Sequence, residues 1–75
     1  MTEPTARQLR VLTAYIEGGG MQAAADRLDV PLYVIRDTLA DLRVILRARN
    51  TAQAFALALQ LGLIDPNELS IATAA

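Results

Sequence analysis

The sequence contains no cysteine, no histidine, no lysine and no tryptophan. Without cysteine there is no disulfide framework, and without cysteine and histidine the usual zinc sites are excluded. The absence of histidine also removes the side chain that most often transfers protons near neutral pH. No nucleophile–base pair, metal-binding cluster or cofactor-binding loop is visible. We therefore expect no enzyme, no cofactor and no small-molecule substrate.

Long hydrophobic runs are absent as well. No apolar run approaches the roughly 18 residues that a membrane-spanning helix needs. Residues 1–4 have neither the basic nor the apolar region of a signal peptide, so we expect a cytoplasmic protein without a membrane partner. All seven basic residues are arginine, a bias that points to a GC-rich genome, actinobacterial or phage.

The charge is nearly balanced but unevenly distributed. The 75 residues carry a net charge of −1, and a chain of this length suffices for one domain with one modest core. Proteins that bind nucleic-acid phosphates are usually basic. Between residues 7 and 64, however, seven arginines stand against five acidic residues, which gives this part of the chain a local charge of +2.

Capping signals and apolar periodicity predict an all-α domain of four to five helices. Thr5 and Gln8 have the spacing of a capping box before the first helix, and the three glycines at residues 18–20 end it. A second, short helix is predicted over Met21–Leu28. Residues 29–30 then form a tight connection to the third helix.

The third helix is the longest, and it is predicted from Pro31, which suits a first helical position, to about Arg47. A fourth helix is predicted over residues 51–61, after a capping box at residues 50–53 and before Gly62. The apolar stripe of the third helix consists of Leu32, Ile35, Leu39, Leu42 and Leu46.

A short fifth helical turn is predicted from Asp65, as N-cap, to about Ala72. The chain is thus expected to form a single helix-turn-helix domain over residues 1–75, with its core at about 4–64 and a short C-terminal helical turn and tail at 65–75. The residues expected in the hydrophobic core are Leu9, Leu12, Ile16, Leu28, Ile35, Leu39, Leu42, Leu46, Phe55 and Leu59.

Two short helices joined by a tight turn, with a longer helix afterwards, form the helix-turn-helix arrangement. In that arrangement the second helix of the motif lies in the major groove and the first crosses the backbone. The helix at residues 31–47 would therefore be the recognition helix. Many helical bundles contain such a turn without binding DNA, so the pattern alone leaves the function open.

Several short segments carry a more specific signal than the helix pattern does. They are Gln8-Leu9-Arg10-Val11-Leu12, Glu17-Gly18, Ala25-Asp26-Arg27-Leu28, Val34-Ile35-Arg36-Asp37-Thr38-Leu39, Leu46-Arg47-Ala48-Arg49-Asn50-Thr51-Ala52-Gln53-Ala54 and Gly62-Leu63-Ile64. In these segments the sequence resembles the LuxR-type (GerE-like) DNA-binding domain of bacterial regulators, over about residues 4–64 and without gaps. The resemblance implies a four-helix domain for transcription regulation, in which the third helix binds double-stranded DNA and the fourth often forms a dimer contact. This domain would be free-standing.

The sequence also departs from the family pattern. Pro31 occupies the usual serine N-cap position, and Thr38 replaces a common histidine. Val44 and Ile45 lie where basic residues are frequent in the family. Only Arg36 keeps the chemistry of a family contact with DNA.

Nine residues are candidates for DNA contact. Arg36, Arg43 and Arg47 fall at i, i+7 and i+11, so they share one line along the third helix. Arg36 would bind a guanine or a phosphate, and Asp37 could accept a hydrogen bond from cytosine N4. Phosphate contacts are assigned to Arg43, Arg47, Arg49 and Thr51. Further base or phosphate contacts are assigned to Tyr33, Asp37, Thr38 and Ala40.

The alternative function is a protein-interaction module of the same fold, with weak or no DNA binding. The net charge favours it, as do Asp37 and Asp41 on the presumed DNA face. A small phage protein or host-regulator-binding protein of this kind would bind RNA polymerase or another regulator. The candidate interface residues, for such a partner or for a homodimer, are Val44, Ile45, Ala54 and Ala58. The spacing of the two alanines serves the chain's own core equally well.

Overall fold

The computed structural model describes residues 3–69, and these residues form four α-helices and one short 3-10 helix without any strand. The α-helices are α1 (Ala6–Gly18), α2 (Met21–Leu28), α3 (Leu32–Leu46) and α4 (Thr51–Gln60), and the 3-10 turn is Pro66–Glu68. The predicted all-α fold is confirmed. None of the helices in this part of the chain is long and apolar enough to cross a membrane. The predicted extension towards Ala72 and the tail lie outside the described residues.

The first helix begins and ends as the sequence predicts. The Gln8 backbone N–H donates to Thr5 Oγ1 at 3.1 Å, and the Thr5 N–H donates to Gln8 Oε1 at 2.9 Å, which completes the capping box. At the other end Gly19 takes a left-handed conformation with φ of 83° and closes the helix. Glycine is favoured there because a Cβ atom would strain this conformation.

A close approach between α1 and α2 depends on a second glycine. A Cβ atom added at Gly18 would stand 2.8 Å from the Cβ of Ala23. Real Cβ atoms do not approach so closely, so glycine at this position allows α2 to pack directly against the end of α1. The connection between the two helices is consequently only two residues long, Gly19 and Gly20.

The connection from α2 to α3 is three residues long, Asp29, Val30 and Pro31. Asp29 ends α2 in a left-handed conformation with φ of 56°, and the Val30 N–H donates to the Ala25 carbonyl at 3.0 Å. Pro31 is the N-cap of α3 and not its first helical residue, because its ψ of 151° is extended while its carbonyl accepts the first helical hydrogen bond, from Val34 N–H. The helix therefore starts one residue later than predicted.

The third helix also ends one residue earlier than predicted. Arg47 is its C-cap, with φ of 56°, and the Arg47 N–H donates to the carbonyls of Arg43 and Val44. The Ala48 N–H donates to the Arg43 carbonyl as well, at 2.8 Å. These bonds satisfy the last carbonyls of α3 and turn the chain towards α4.

The fourth helix begins with a variant of the predicted capping box. The Gln53 N–H donates to Asn50 Oδ1 at 2.8 Å, but Gln53 Oε1 accepts from the Arg49 N–H and not from the Asn50 N–H. The helix ends at Gln60, one residue before the predicted end, and Gly62 follows with φ of 73°. The predicted helix start at Asp65 is present as the 3-10 turn, whose Asn67 N–H donates to Asp65 Oδ1.

The core lies between the four helices and is closed by the segment after α4. Of the predicted core residues, Leu12, Ile35, Leu39 and Leu42 are fully buried, and most of the others are half-buried against them. Leu32 belongs to the predicted stripe but is 46% exposed, because it stands in the first turn of α3 at the margin of the buried face. Within residues 3–69 the buried apolar residues are Val11, Leu12, Ala14, Ala24, Ala25, Ile35, Leu39, Leu42, Ala54, Ala58, Ile64 and Leu69.

Candidate nucleic-acid interface

One face of α3 points away from the core. An α-helix turns about 100° per residue, so Tyr33, Asp37, Ala40 and Val44 fall roughly opposite the buried stripe of the same helix. We call these four residues the outer face of α3. Tyr33 is 58% exposed and Val44 is 78% exposed. The face therefore offers solvent a ridge of aromatic and aliphatic surface with one carboxylate in it.

Arg36 lies beside the outer face and has a weak partner. Its Nε atom is 3.6 Å from Asp37 Oδ1, and both side chains are about two-thirds exposed, at 67% and 66%. An exposed pair at this separation contributes little to stability. The guanidinium of Arg36 can therefore exchange this carboxylate for another acceptor, such as guanine or phosphate, at small cost.

Three further arginines gather where α3 ends. Arg43 lies in the last turn of α3, Arg47 is its C-cap, and Arg49 lies in the connection to α4. All three side chains are exposed, and none forms an ion pair with another described residue. We call these three residues the basic end of α3. Residues 42–64 contain them and no acidic residue, so this segment carries a charge of +3.

The predicted single line of arginines is wrong in one respect. Arg36 and Arg43 share an edge of α3, as their spacing of seven residues predicts. Arg47 does not continue that line, because the left-handed conformation at φ of 56° turns the backbone out of the helix. The basic charge consequently consists of an edge of α3, formed by Arg36 and Arg43, and of arginines beyond the helix end, where Arg47 departs from that edge.

The other predicted contacts are less accessible. Thr38 and Ala40 are half-buried, as is Thr51 at the first position of α4. The Asn50 side chain caps the Gln53 N–H, which leaves the N–H groups of the first two residues of α4 without a helical acceptor. A contact from Thr51 would be supported by this end of the helix dipole, which favours anions.

The candidate interface residues divide into two kinds. Val44 is strongly exposed and Ile45 is half-buried. Ala54 and Ala58 are both buried inside the chain's own fold. Because these two alanines do not reach the surface, the expectation that they contact a second subunit is wrong for the folded domain, and their spacing serves the core.

Arginines outside α3 have different surroundings. Arg27 Nη1 lies 2.9 Å from Glu17 Oε1, and that carboxylate side chain is only 11% exposed, so Arg27 joins α2 to the end of α1. Arg7 and Arg10 line a shallow cavity of about 200 Å³ beside the α2–α3 connection, together with Leu28 and Val34. No motif in the sequence marks this pair as functional, although its spacing of three residues places both arginines on one face of α1.

No group of three or more histidine, cysteine, aspartate or glutamate side chains comes together within residues 3–69 in a way that could hold a metal ion. No family model, no curated protein and no solved structure matches this chain. Its function is therefore inferred from the geometry and charge of α3 and of the segment that follows it.

Proposed function

We propose that this protein is a DNA-binding regulator of transcription that inserts α3 into the major groove. The observation that carries the proposal is the basic end of α3. Three exposed arginines that form no ion pair with the described residues lie directly beside an exposed helix face, and the segment they belong to has no acidic residue. Phosphate oxygens are the acceptors that such a cluster fits, since arginine binds phosphate in bidentate fashion.

The short connection between α2 and α3 supports the same function. In helix-turn-helix proteins the first helix crosses the DNA backbone while the N-terminal part of the second contacts base edges. Here that part of α3 presents Tyr33, Arg36 and Asp37 to solvent. Arg36 would bind a guanine edge or a phosphate, and Asp37 would accept from a cytosine amino group. Tyr33 would contact a base or a phosphate.

The remaining predicted contacts fit this orientation of the helix. The basic end would hold the phosphate backbone while Arg36 fixes the register, and Thr51 would add a phosphate contact at the start of α4. Thr38 and Ala40 would touch thymine methyl groups where the groove allows it. Two chains on two half-sites would double these contacts.

Fluorescence anisotropy with labelled duplex DNA over a salt series tests the proposal. We expect a Kd of about 1–100 µM for random duplex at physiological salt and tighter binding at low salt, with log K falling linearly as log salt rises. Replacing Arg43, Arg47 and Arg49 by alanine should reduce the salt slope by about 0.9 for each of these arginines that binds a phosphate in the wild type. Arg7→Ala is the control for each of these arginines replaced singly, because it also removes one positive charge, but from α1, away from the basic end of α3.

Arg36→Ala tests the assigned register on a duplex selected for tight binding. The variant should bind that site more weakly by about 1–3 kcal/mol and relax the base preference at one position. Wild-type protein that fails to bind any duplex at low salt would refute the proposal. An unchanged affinity in the Arg36 variant would refute only the role given to that residue.

A protein-interaction module is the second candidate, and one observation favours it. Val44, in the last turn of α3, is 78% exposed on the surface that would face DNA, and Asp37 and Asp41 lie on the same side of α3. Exposed apolar surface of this kind often marks a protein contact, here with RNA polymerase or another regulator. Asp37→Arg separates the two functions, since it should raise affinity for DNA but weaken a protein contact that uses the carboxylate.

A further inference from the structure

The outer face of α3 has the spacing of a coiled-coil seam. Its residues Tyr33, Asp37, Ala40 and Val44 follow one another at intervals of four, three and four, which are the d, a, d and a positions of a heptad repeat. None of them belongs to the fully buried core, and Val44 and Tyr33 are largely exposed. Among the described residues this seam has no partner helix, because α1, α2 and α4 pack on the opposite side of α3.

The two edges of the seam carry opposite charges. In the same heptad register Arg36 and Arg43 occupy the two g positions, and Asp41 occupies an e position. Arg36, Asp37 and Asp41 are all exposed, and Asp41 forms no ion pair with the described residues. One margin of the outer face is therefore basic, and the other is acidic.

This charge pattern selects one kind of partner and one orientation. A two-fold axis parallel to two facing helices places the basic edge of each helix against the acidic edge of the other, whereas an antiparallel arrangement places like edges together. In a parallel pair a g residue contacts the e residue five positions later in the other helix. Arg36 and Asp41 are separated by those five positions, so they would form two equivalent ion pairs.

We propose that the outer face of α3 binds a second copy of this chain, with the two α3 helices parallel about a two-fold axis. Val44 and Tyr33 would each contact their counterparts across the axis. Arg36 of each copy would lie between Asp37 and Asp41 of the other. Because α3 has only 15 residues and its seam holds one charged position, the association is weak.

Asp37 sets the strength of this association. At an a position it faces Asp37 of the second copy across the axis, and two carboxylates there repel each other. Arg36 of the second copy borders the same pocket and offsets part of the repulsion. Asp37 therefore limits the affinity of the dimer. Replacing Asp37 by an apolar residue should strengthen the dimer, whereas replacing the charged residues at the edges should weaken it.

The self-association does not depend on the proposed function. Competition between self-association and DNA binding, however, rests on the proposed function. A parallel pair buries the surface that would enter the major groove, so a chain cannot bind DNA through α3 and pair through α3 at once. If both occur, pairing withdraws the protein from DNA at high concentration.

Sedimentation equilibrium of the full chain without DNA, from about 5 µM to 1 mM, tests the proposal. Asp41→Arg and Arg36→Asp should each raise the dimer Kd by about tenfold or more, because each places like charges across the interface. The double variant, Arg36→Asp with Asp41→Arg, exchanges the two charges and restores the pairs between positions 36 and 41. Its Kd should be well below that of either single variant, but it should stay above that of wild type, because Asp37 of each copy then faces a second carboxylate. Asp37→Leu should lower the wild-type Kd by about tenfold.

Asp26→Arg is the control, since it makes the same charge change at an exposed position of α2. Its Kd should equal that of the wild type, and helical circular dichroism checks that every variant is folded. A chain that stays monomeric even as Asp37→Leu overturns the proposal, as does a dimer indifferent to Asp41→Arg and Arg36→Asp. A double variant that fails to regain pairing also overturns it. DNA binding is measured in a separate experiment, at chain concentrations far below the dimer Kd. Its result tests the proposed function and does not bear on the dimer.

Discussion

Gly18 should resist replacement by alanine, although alanine is the better helix former. The exchange gains up to about 1 kcal/mol in helix propensity, and less at this last residue of α1. Against this gain, the new Cβ would stand 2.8 Å from the Cβ of Ala23, where unstrained carbon atoms are separated by about 3.5–4.0 Å. A Cβ atom cannot rotate away, so α2 itself must move, and overpacking of this kind costs about 1–3 kcal/mol.

The net expectation for Gly18→Ala is a loss of about 1–2 kcal/mol in the free energy of unfolding. In a domain of this size that loss lowers the melting temperature by about 4–8 °C per kcal/mol. Urea denaturation followed by circular dichroism measures it. Gly20→Ala is the control, because no heavy atom lies within 4 Å of a Cβ built there and its φ of 168° is extended.

A double-mutant cycle isolates the contact from the backbone effects. Ala23→Gly alone should destabilise α2 by up to about 1 kcal/mol. Combined with Gly18→Ala it removes the overlap, so the double variant should be more stable than the two single losses predict, by about 1 kcal/mol or more. A coupling energy near zero, or a Gly18→Ala protein as stable as wild type, would refute the close approach between α1 and α2.

Three further changes test the local geometry of the other helix ends and the core. Arg47→Gly should stabilise the fold by about 0.5–1 kcal/mol, because it removes a side chain from a left-handed residue; thermal unfolding measures it, and the same variant should bind DNA less well. Asn50→Ala should cost about 1 kcal/mol in urea denaturation, since the Gln53 N–H loses its acceptor; an unchanged midpoint would contradict the cap. Leu42→Ala should cost about 2–5 kcal/mol, because Leu42 is fully buried; a loss below about 1 kcal/mol would show that the site is not in the core.

The starts of α1 and of the 3-10 turn were predictable because their signals are local. The hydrogen bonds of Thr5 with Gln8 and of Asp65 with Asn67 join residues two or three positions apart, so the sequence alone contains both partners. The end of α3 was not predictable in this way. It depends on a left-handed arginine at position 47, and no propensity indicates that conformation for arginine.

Burial was predictable only where the apolar residues of a helix define one buried side. Ile35, Leu39 and Leu42 repeat at helical spacing among polar neighbours, so the pattern defines which side of α3 is buried. Helix α4 has no charged residue, and alanines at i and i+4 fit a core and a subunit contact equally. Tertiary packing decides between them, and it places Ala54 and Ala58 inside the fold.

The net charge of −1 is a poor guide to what this surface binds, because the charges that matter are separated along α3. A helix rises about 1.5 Å per residue, so the ten residues from Asp37 to Arg47 span about 15 Å. The Debye length is about 8 Å at physiological ionic strength, and exposed charges farther apart than this are largely screened from one another. Asp41 is only two residues from Arg43, so a phosphate at the basic end of α3 interacts with three arginines and at most this one carboxylate. A ligand beside Asp37 meets a carboxylate first. The two halves of one helix can thus serve different contacts, phosphate binding at the C-terminal end and base or protein contact on the outer face.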